Sequence, residues 1–207
     1  HNEPNDFIDY VADNFEAVYW IPGNHEYYHY DLGRHYSSLF EEIRSNVFLI
    51  NNQTITHKDI TLVCSTLWSN INPQNEWLIS QNVNDFDLIK KNGERLTPKH
   101  FNFMHTVDLN CVKAGLLYNK KENIVVLTHY VPTRYEYPNQ YKNSNLNDAF
   151  SVELYDLIYQ SGIPYWIYGH HHINTPAFKI GKTIMLTNQL GYVSQDEHQL
   201  FNNAAII

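Results

Sequence analysis

Apolar residues along this chain fall into short blocks, and the spacing inside each block predicts its element. Phe7, Ile8, Val11 and Phe15 recur at helical intervals after Pro4, a residue suited to a first helical turn, so a helix is expected there. The β-rich run at 17–21, closed by Pro22 and Gly23, predicts a strand. Tyr36, Leu39, Phe40 and Ile43 have the spacing of a helix over 33–45. Residues 47–50 read as a strand, and 54–57 with 60–64 as a hairpin turning at Lys58-Asp59. Residues 66–96 are the least periodic part, with Trp68, Pro73, Trp77 and many Asn. They read either as a functional loop or cap, or as a solvated insertion. Thr97-Pro98 opens a helix, N-cap then first turn, which Phe101, Met104, His105, Val112 and Leu116 carry to about Tyr118. A strand at 123–128, a loop over 129–147, a helix at 149–160 closed by Gly162, and a strand at 164–168 follow. A hairpin of 177–180 with 183–187 turns at Gly181-Lys182, and 204–207 reads as an edge strand. Strands alternating with helices early and hairpins late indicate an α/β protein with mixed sheets.

Three of these apolar runs lead directly into histidine. Residues 17–21 lead through Pro22 into Gly23-Asn24-His25-Glu26, 123–127 through Thr128 into His129, and 165–168 into Gly169-His170-His171-His172. Ligands bind just past the carboxyl ends of strands in open sheets, so three strand ends delivering imidazole form a candidate metal site. In an extended segment His170 and His172 share one face and His171 points away. Gly23 permits a tight exit from its strand. The Asn24 side-chain oxygen is a neutral hard ligand. His25, one residue on, faces substrate, where an imidazolium stabilises negative charge or protonates a leaving oxygen. Each element alone has a plainer reading, as a turn, a core histidine or a surface cluster; together they favour the functional one.

Composition narrows the setting. A chain of 207 residues with 43% apolar content and no linker-like stretch suits one domain with a real core. A net charge of −8 removes a general nucleic-acid footprint. No run approaches the roughly 18 apolar residues of a membrane helix, and residues 1–16 lack the apolar segment of a signal peptide. Cys64 and Cys111 form no CxxC pair and read as reduced, buried thiols, as in a cytoplasmic protein. Twelve histidines against two cysteines favour nitrogen and oxygen ligation over thiolate.

In order and spacing, Gly23-Asn24-His25-Glu26, His129 and Gly169-His170-x-His172, with Asn188-x-x-Gly191-Tyr192 beyond them, resemble the calcineurin-like metallophosphoesterase superfamily in its small bacterial form. The resemblance implies a two-sheet β-sandwich flanked by helices (α/β/β/α). It implies two divalent metal ions about 3.5–4 Å apart, Mn, Fe, Zn or Ni, at the strand ends. Asn24, His129 and His170 would bind one ion and His172 the other. His25 would be catalytic, assisting the leaving group while a metal-bound hydroxide attacks a phosphate mono- or diester. Arg134, and Arg34 with it, is a cation that could pair with phosphate. Tyr27, Tyr28, Trp68, Tyr130 and Tyr135 lie near the motifs and either stack on a substrate or pack the core.

The family also carries Asp-x-His and Gly-Asp motifs ahead of Gly-Asn-His-Glu, and the Asp of the second bridges the metals; neither precedes Gly23. The expectation is that two N-terminal strands lie outside this sequence. Failing that, a homodimer supplies them by exchange, or the chain is a non-catalytic metal- or ligand-binding member of the fold. Two close dications need anionic ligands, so the chain by itself is expected to bind metal weakly and to hydrolyse poorly. The expected partner is a phosphate-ester substrate, not a membrane. Nucleic acid is disfavoured, although a nuclease with an electropositive cleft is a further reading.

Overall fold

A computed structural model describes residues 3–33 and 36–207, in which two β-sheets meet through their third and fifth strands and helices pack outside them. Helix α1 (Glu3–Asn14) buries Ile8 and Val11 against Val47. Strands β1 (Val18–Trp20), β2 (Leu39–Arg44) and β3 (Val47–Asn51) form a three-stranded sheet with β3 central, parallel to β1 and antiparallel to β2. The hairpin β4 (Gln53–His57) and β5 (Ile60–Ser65) enters the larger sheet. Then come α2 (Glu76–Asn82), α3 (Asp85–Leu88), the ribbon β6 (Lys90–Lys91) and β7 (Glu94–Arg95), and the long helix α4 (Pro98–Tyr118). The chain closes with β8 (Ile124–Thr128), α5 (Tyr155–Ser161), β9 (Tyr165–Ile167), β10 (Phe178–Ile180) and β11 (Thr183–Leu186).

The larger sheet runs β10-β11-β9-β8-β5-β4, parallel through its middle and antiparallel at both edges. Ile124, Val125 and Val126 are all buried on β8, as expected of a strand covered on both faces. The Thr97 hydroxyl accepts from the His100 N–H and Pro98 occupies the first turn, so α4 starts where its cap chemistry places it. One core cluster joins Val63, Val126, Ile158, Trp166 and Met185. A second joins Trp68, Ile79, Phe86, Phe101 and Tyr130. Ile71, Ile79, Phe86 and Ile89 are fully buried, so the segment 66–96 is a packed cap, not a solvated insertion.

Three expectations are corrected. No helix covers 33–45: Leu39–Arg44 is β2, bulged between Glu42 and Arg44, and residues 34 and 35 lie outside the described residues. Pairing with β3 supplies ladder hydrogen bonds that outweigh the helical spacing of Tyr36, Leu39, Phe40 and Ile43. The helix expected from 149 begins at Tyr155, because the preceding backbone pairs with the chain after β8: the Val152 N–H donates to the Val131 carbonyl at 3.0 Å. Gly162 ends it in the left-handed region at φ 62°. Residues 204–207 form no strand and are exposed. Cys64 and Cys111 are unpaired thiols. Among the described residues no helix is long and apolar enough to cross a membrane.

Candidate active site

Backbone pairing continues past the strand ends and fixes the loops there. The His129 N–H donates to the Ser65 carbonyl at 3.3 Å, the Tyr130 N–H to Thr66 at 3.0 Å, and the Gly169 N–H to His129 at 3.1 Å. The Thr66 hydroxyl donates to the Pro22 carbonyl at 2.8 Å, tying the Gly-Asn-His-Glu loop to the end of β5. Gly23 is needed for a different reason from the one its sequence context suggests. Its φ is not positive; instead, a Cβ built there would lie 2.4 Å from Cε1 of His129.

The three strand ends converge. Asn24 Oδ1 lies 3.0 Å from His129 Nε2, and the same nitrogen lies 2.9 Å from His170 Nδ1. The His170 ring is held between Tyr130 and Phe150, at centroid distances of 4.2 and 5.1 Å. His170 Nε2 is buried without a hydrogen-bond partner. Burial, with neighbouring imidazoles adding to it, pushes His129 down to about 3 and His170 well below its ordinary value, so both are neutral at pH 7. Neutral imidazole is the form that ligates metal.

His170 and His172 do face the same cleft, but not by strand alternation. Both have left-handed backbones, φ 78° and 58°, which cost about 1–3 kcal/mol each and are held by their surroundings. At His172 the hold comes from Gln189, whose Oε1 accepts from the His172 N–H at 2.8 Å and whose Nε2 donates to His171 Nδ1 at 3.0 Å. His171 is buried against Tyr137 and Tyr168. Burial pushes its pKa down to about 4.

A cleft of about 680 Å3 is lined by Asn24, His25, His129, His170, His171 and His172. His25 is exposed at its mouth, 4.5 Å from the Tyr28 ring. Arg134 does not line the cleft; it pairs with Asp148 at 2.6 Å and donates to Ser151 Oγ at 2.9 Å. Arg34 lies outside the described residues. Of the aromatic residues near the motifs, Tyr28 lines the cleft, whereas Trp68 and Tyr130 are core.

Two carboxylates at the site were not legible beforehand. Asp85 Oδ1 accepts from Asn24 Nδ2 at 2.8 Å and from the Tyr28 hydroxyl at 2.9 Å, and its Oδ2 from the Tyr130 hydroxyl at 3.2 Å. Glu197 Oε2 lies 3.0 Å from His172 Nδ1 and accepts from the Tyr192 N–H at 2.6 Å. Nothing in the irregular stretch around Asp85 marks it. Glu197 follows the Gly191-Tyr192 signature closely, the one available hint. An Asp-x-His triplet does occur here, Asp196-Glu197-His198, but neither Asp196 nor His198 lines the cleft.

Residues 1–174 match the family described as calcineurin-like phosphoesterase. The chain belongs to that family. It is 32% identical, over 97% of its length and 76% of the relative's, to the uncharacterized protein L509 of Acanthamoeba polyphaga mimivirus. Its fold matches the crystal structure of phosphopantetheinyl hydrolase (PptH) from Mycobacterium tuberculosis with a TM-score of 0.63 at 16% identity, covering 93% of this chain and 75% of that one. The calcineurin-like phosphoesterases generally use divalent metals, and an amide oxygen with two neutral imidazoles suits such a cation. A carboxylate bridge between two ions is a different matter. Of the carboxylates lining the cleft, Asp85 and Glu197 are engaged as above and Glu26 accepts from the Gly23 N–H at 2.7 Å. Accordingly, among the described residues no group of three His, Cys, Asp or Glu is arranged to hold a metal.

Proposed function

We propose that this chain is a metal-dependent phosphoesterase domain that hydrolyses a phosphate mono- or diester. The observation that carries the reading is the meeting of the three strand ends at His129 Nε2, which lies 3.0 Å from Asn24 Oδ1 and 2.9 Å from His170 Nδ1. Those three side chains would hold one divalent cation, and His172, oriented by Glu197, would face a second. A divalent cation supplies Lewis-acid neutralisation of phosphoryl charge when bound. His25, exposed at the cleft mouth, protonates the leaving oxygen. No Lys or Arg is among the described residues lining the cleft, which favours a small ester over a nucleic-acid strand. The name of the structural neighbour, a hydrolase, supports the same reaction class.

The test is hydrolysis of p-nitrophenyl phosphate and bis(p-nitrophenyl) phosphate with Mn2+, Fe2+, Zn2+ or Ni2+, beside His25→Ala. Turnover that falls on the order of 10^2-fold or more in the variant supports the reading; no turnover by the full-length protein with any of these ions defeats it. A second reading, a metal- or ligand-binding member without turnover, is favoured by the engagement of Asp85, Glu26 and Glu197 with the protein itself. It requires metal binding without hydrolysis and a His25→Ala variant indistinguishable from the parent.

A further inference from the structure

Asp85 belongs to the cap, not to any motif-bearing strand end, and is 1% exposed. Its three donors are each in contact with a different part of the site. Asn24 is itself at the centre, the Tyr28 ring lies 4.5 Å from His25, and the Tyr130 ring lies 4.2 Å from His170. We propose that Asp85 is the positioning residue of this site: it decides which end of the Asn24 amide faces His129 and thereby sets the tautomers of His129 and His170.

A carboxamide is nearly symmetric in shape but not in chemistry, because one end only accepts and the other only donates. Asp85 Oδ1 is an acceptor at 2.8 Å, so the Asn24 end that meets it is Nδ2. Turning the amide over would place two acceptor oxygens at that distance in a buried site, an arrangement that costs both groups their hydrogen bond. Asn24 Oδ1 therefore faces His129. Opposite an acceptor, His129 Nε2 carries its proton, shared between Asn24 Oδ1 and His170 Nδ1. His170 Nδ1 is then an unprotonated acceptor, and its proton is on Nε2, the buried atom that finds no partner. The site thus presents one amide oxygen and one imidazole lone pair already aimed inward, and a single proton, on His129, stands between this arrangement and a three-donor set.

The tautomer assignment stands without the proposed function; only its consequence for cations rests on that reading. Long-range 1H–15N correlation of the histidine rings in metal-free protein reads the tautomers directly. The parent is expected to show both His129 and His170 protonated on Nε2, and a parent with His129 protonated on Nδ1 overturns the proposal whatever the variants do. In Asp85→Leu, similar in size and without an acceptor, Asn24 is free to turn, and His129 is expected to move to the Nδ1-protonated form. Asp85→Asn keeps an acceptor for Asn24 Nδ2 and is expected to restore the parent pattern. A folded Asp85→Leu protein with unchanged tautomers overturns the proposal. Zn2+ calorimetry is the second readout: affinity falls about tenfold or more in Asp85→Leu and stays near the parent in Asp85→Asn. A parent with the expected tautomers and no Zn2+ binding defeats the metal reading and leaves the assignment to Asp85 standing.

Discussion

Gly23 and His129 are in contact so close that the site has no room for a side chain at position 23. A Cβ there would lie 2.4, 2.7 and 2.8 Å from Cε1, Nδ1 and Nε2 of the imidazole. Gly23→Ala must therefore displace either the ring or the Asn24 loop. The displaced ring leaves a fully packed environment, and overpacking of this kind costs about 1–3 kcal/mol. The expected outcome is a lowered unfolding midpoint together with loss of Zn2+ affinity measured by calorimetry. An unchanged affinity would show that His129 is not a ligand.

Glu197 holds His172 and the Tyr192 backbone on one oxygen. With Nδ1 of His172 donating to a carboxylate, Nε2 is left as the lone-pair nitrogen. Glu197→Ala removes that anchor and is expected to lower phosphoesterase activity on the order of 10–100-fold. Glu197→Gln keeps one acceptor oxygen for both donors and should fall much less. Equal losses in the two variants would mean that charge, not orientation, is what Glu197 contributes. Gly191, φ 62°, allows this approach, since a Cβ there would lie 2.5 Å from Glu197 Cβ.

Asp108 on α4 is fully buried and accepts from Asn52 Nδ2 at 2.7 Å, the Trp68 N–H at 3.1 Å and the Tyr36 hydroxyl at 3.2 Å. Burial pushes its carboxyl up to about 7, and these donors offset only part of that. A carboxyl whose pKa rises on folding keeps a proton that the unfolded chain has released. Its contribution to stability is complete below about pH 4 and is lost as pH rises through 7, at about 1.4 kcal/mol per unit in between. Urea unfolding of the parent and of Asp108→Asn across pH 5 to 8 checks this, because the difference between them cancels the opposing titration of the buried histidines. That difference should move in favour of the variant as pH rises and level off above 7. Parallel curves would sink the assignment.

Gly115 lies on α4 where the helix crosses β5, and a Cβ there would be 2.7 Å from both methyls of Val63. Ala is the better helix former by about 1 kcal/mol. The clash, at about 1–3 kcal/mol, opposes that gain and is expected to win. Thermal unfolding of Gly115→Ala should show a net loss of stability, and pairing it with Val63→Ala should recover part of it. A stabilised single variant would refute the close packing of α4 on β5.

Much of the site was readable because its signals are local. A β-branched run such as Ile124-Val125-Val126-Leu127 makes a strand from its own composition, and whatever follows it, here His129, is carried to the strand end. Arg134 was not readable in the same way, because nothing near it in the chain announces Asp148 as its partner. Tyr36–Ile43 misled for a related reason: its spacing suits a helix, and only β3, met in space, supplies the ladder that makes β2.

The order of Asn24, His25, His129, His170 and His172, and their delivery to three strand ends, were legible in the chain itself, since each follows an apolar run. What holds them in register was decided by the tertiary structure alone. Asp85 is 61 residues from Asn24 and Glu197 is 25 from His172; no local pattern marks Asp85, and the nearby Gly191-Tyr192 is the one local hint of Glu197. A buried acceptor is stabilised only once the fold brings donors to it, and that energy has no counterpart in any single stretch of sequence.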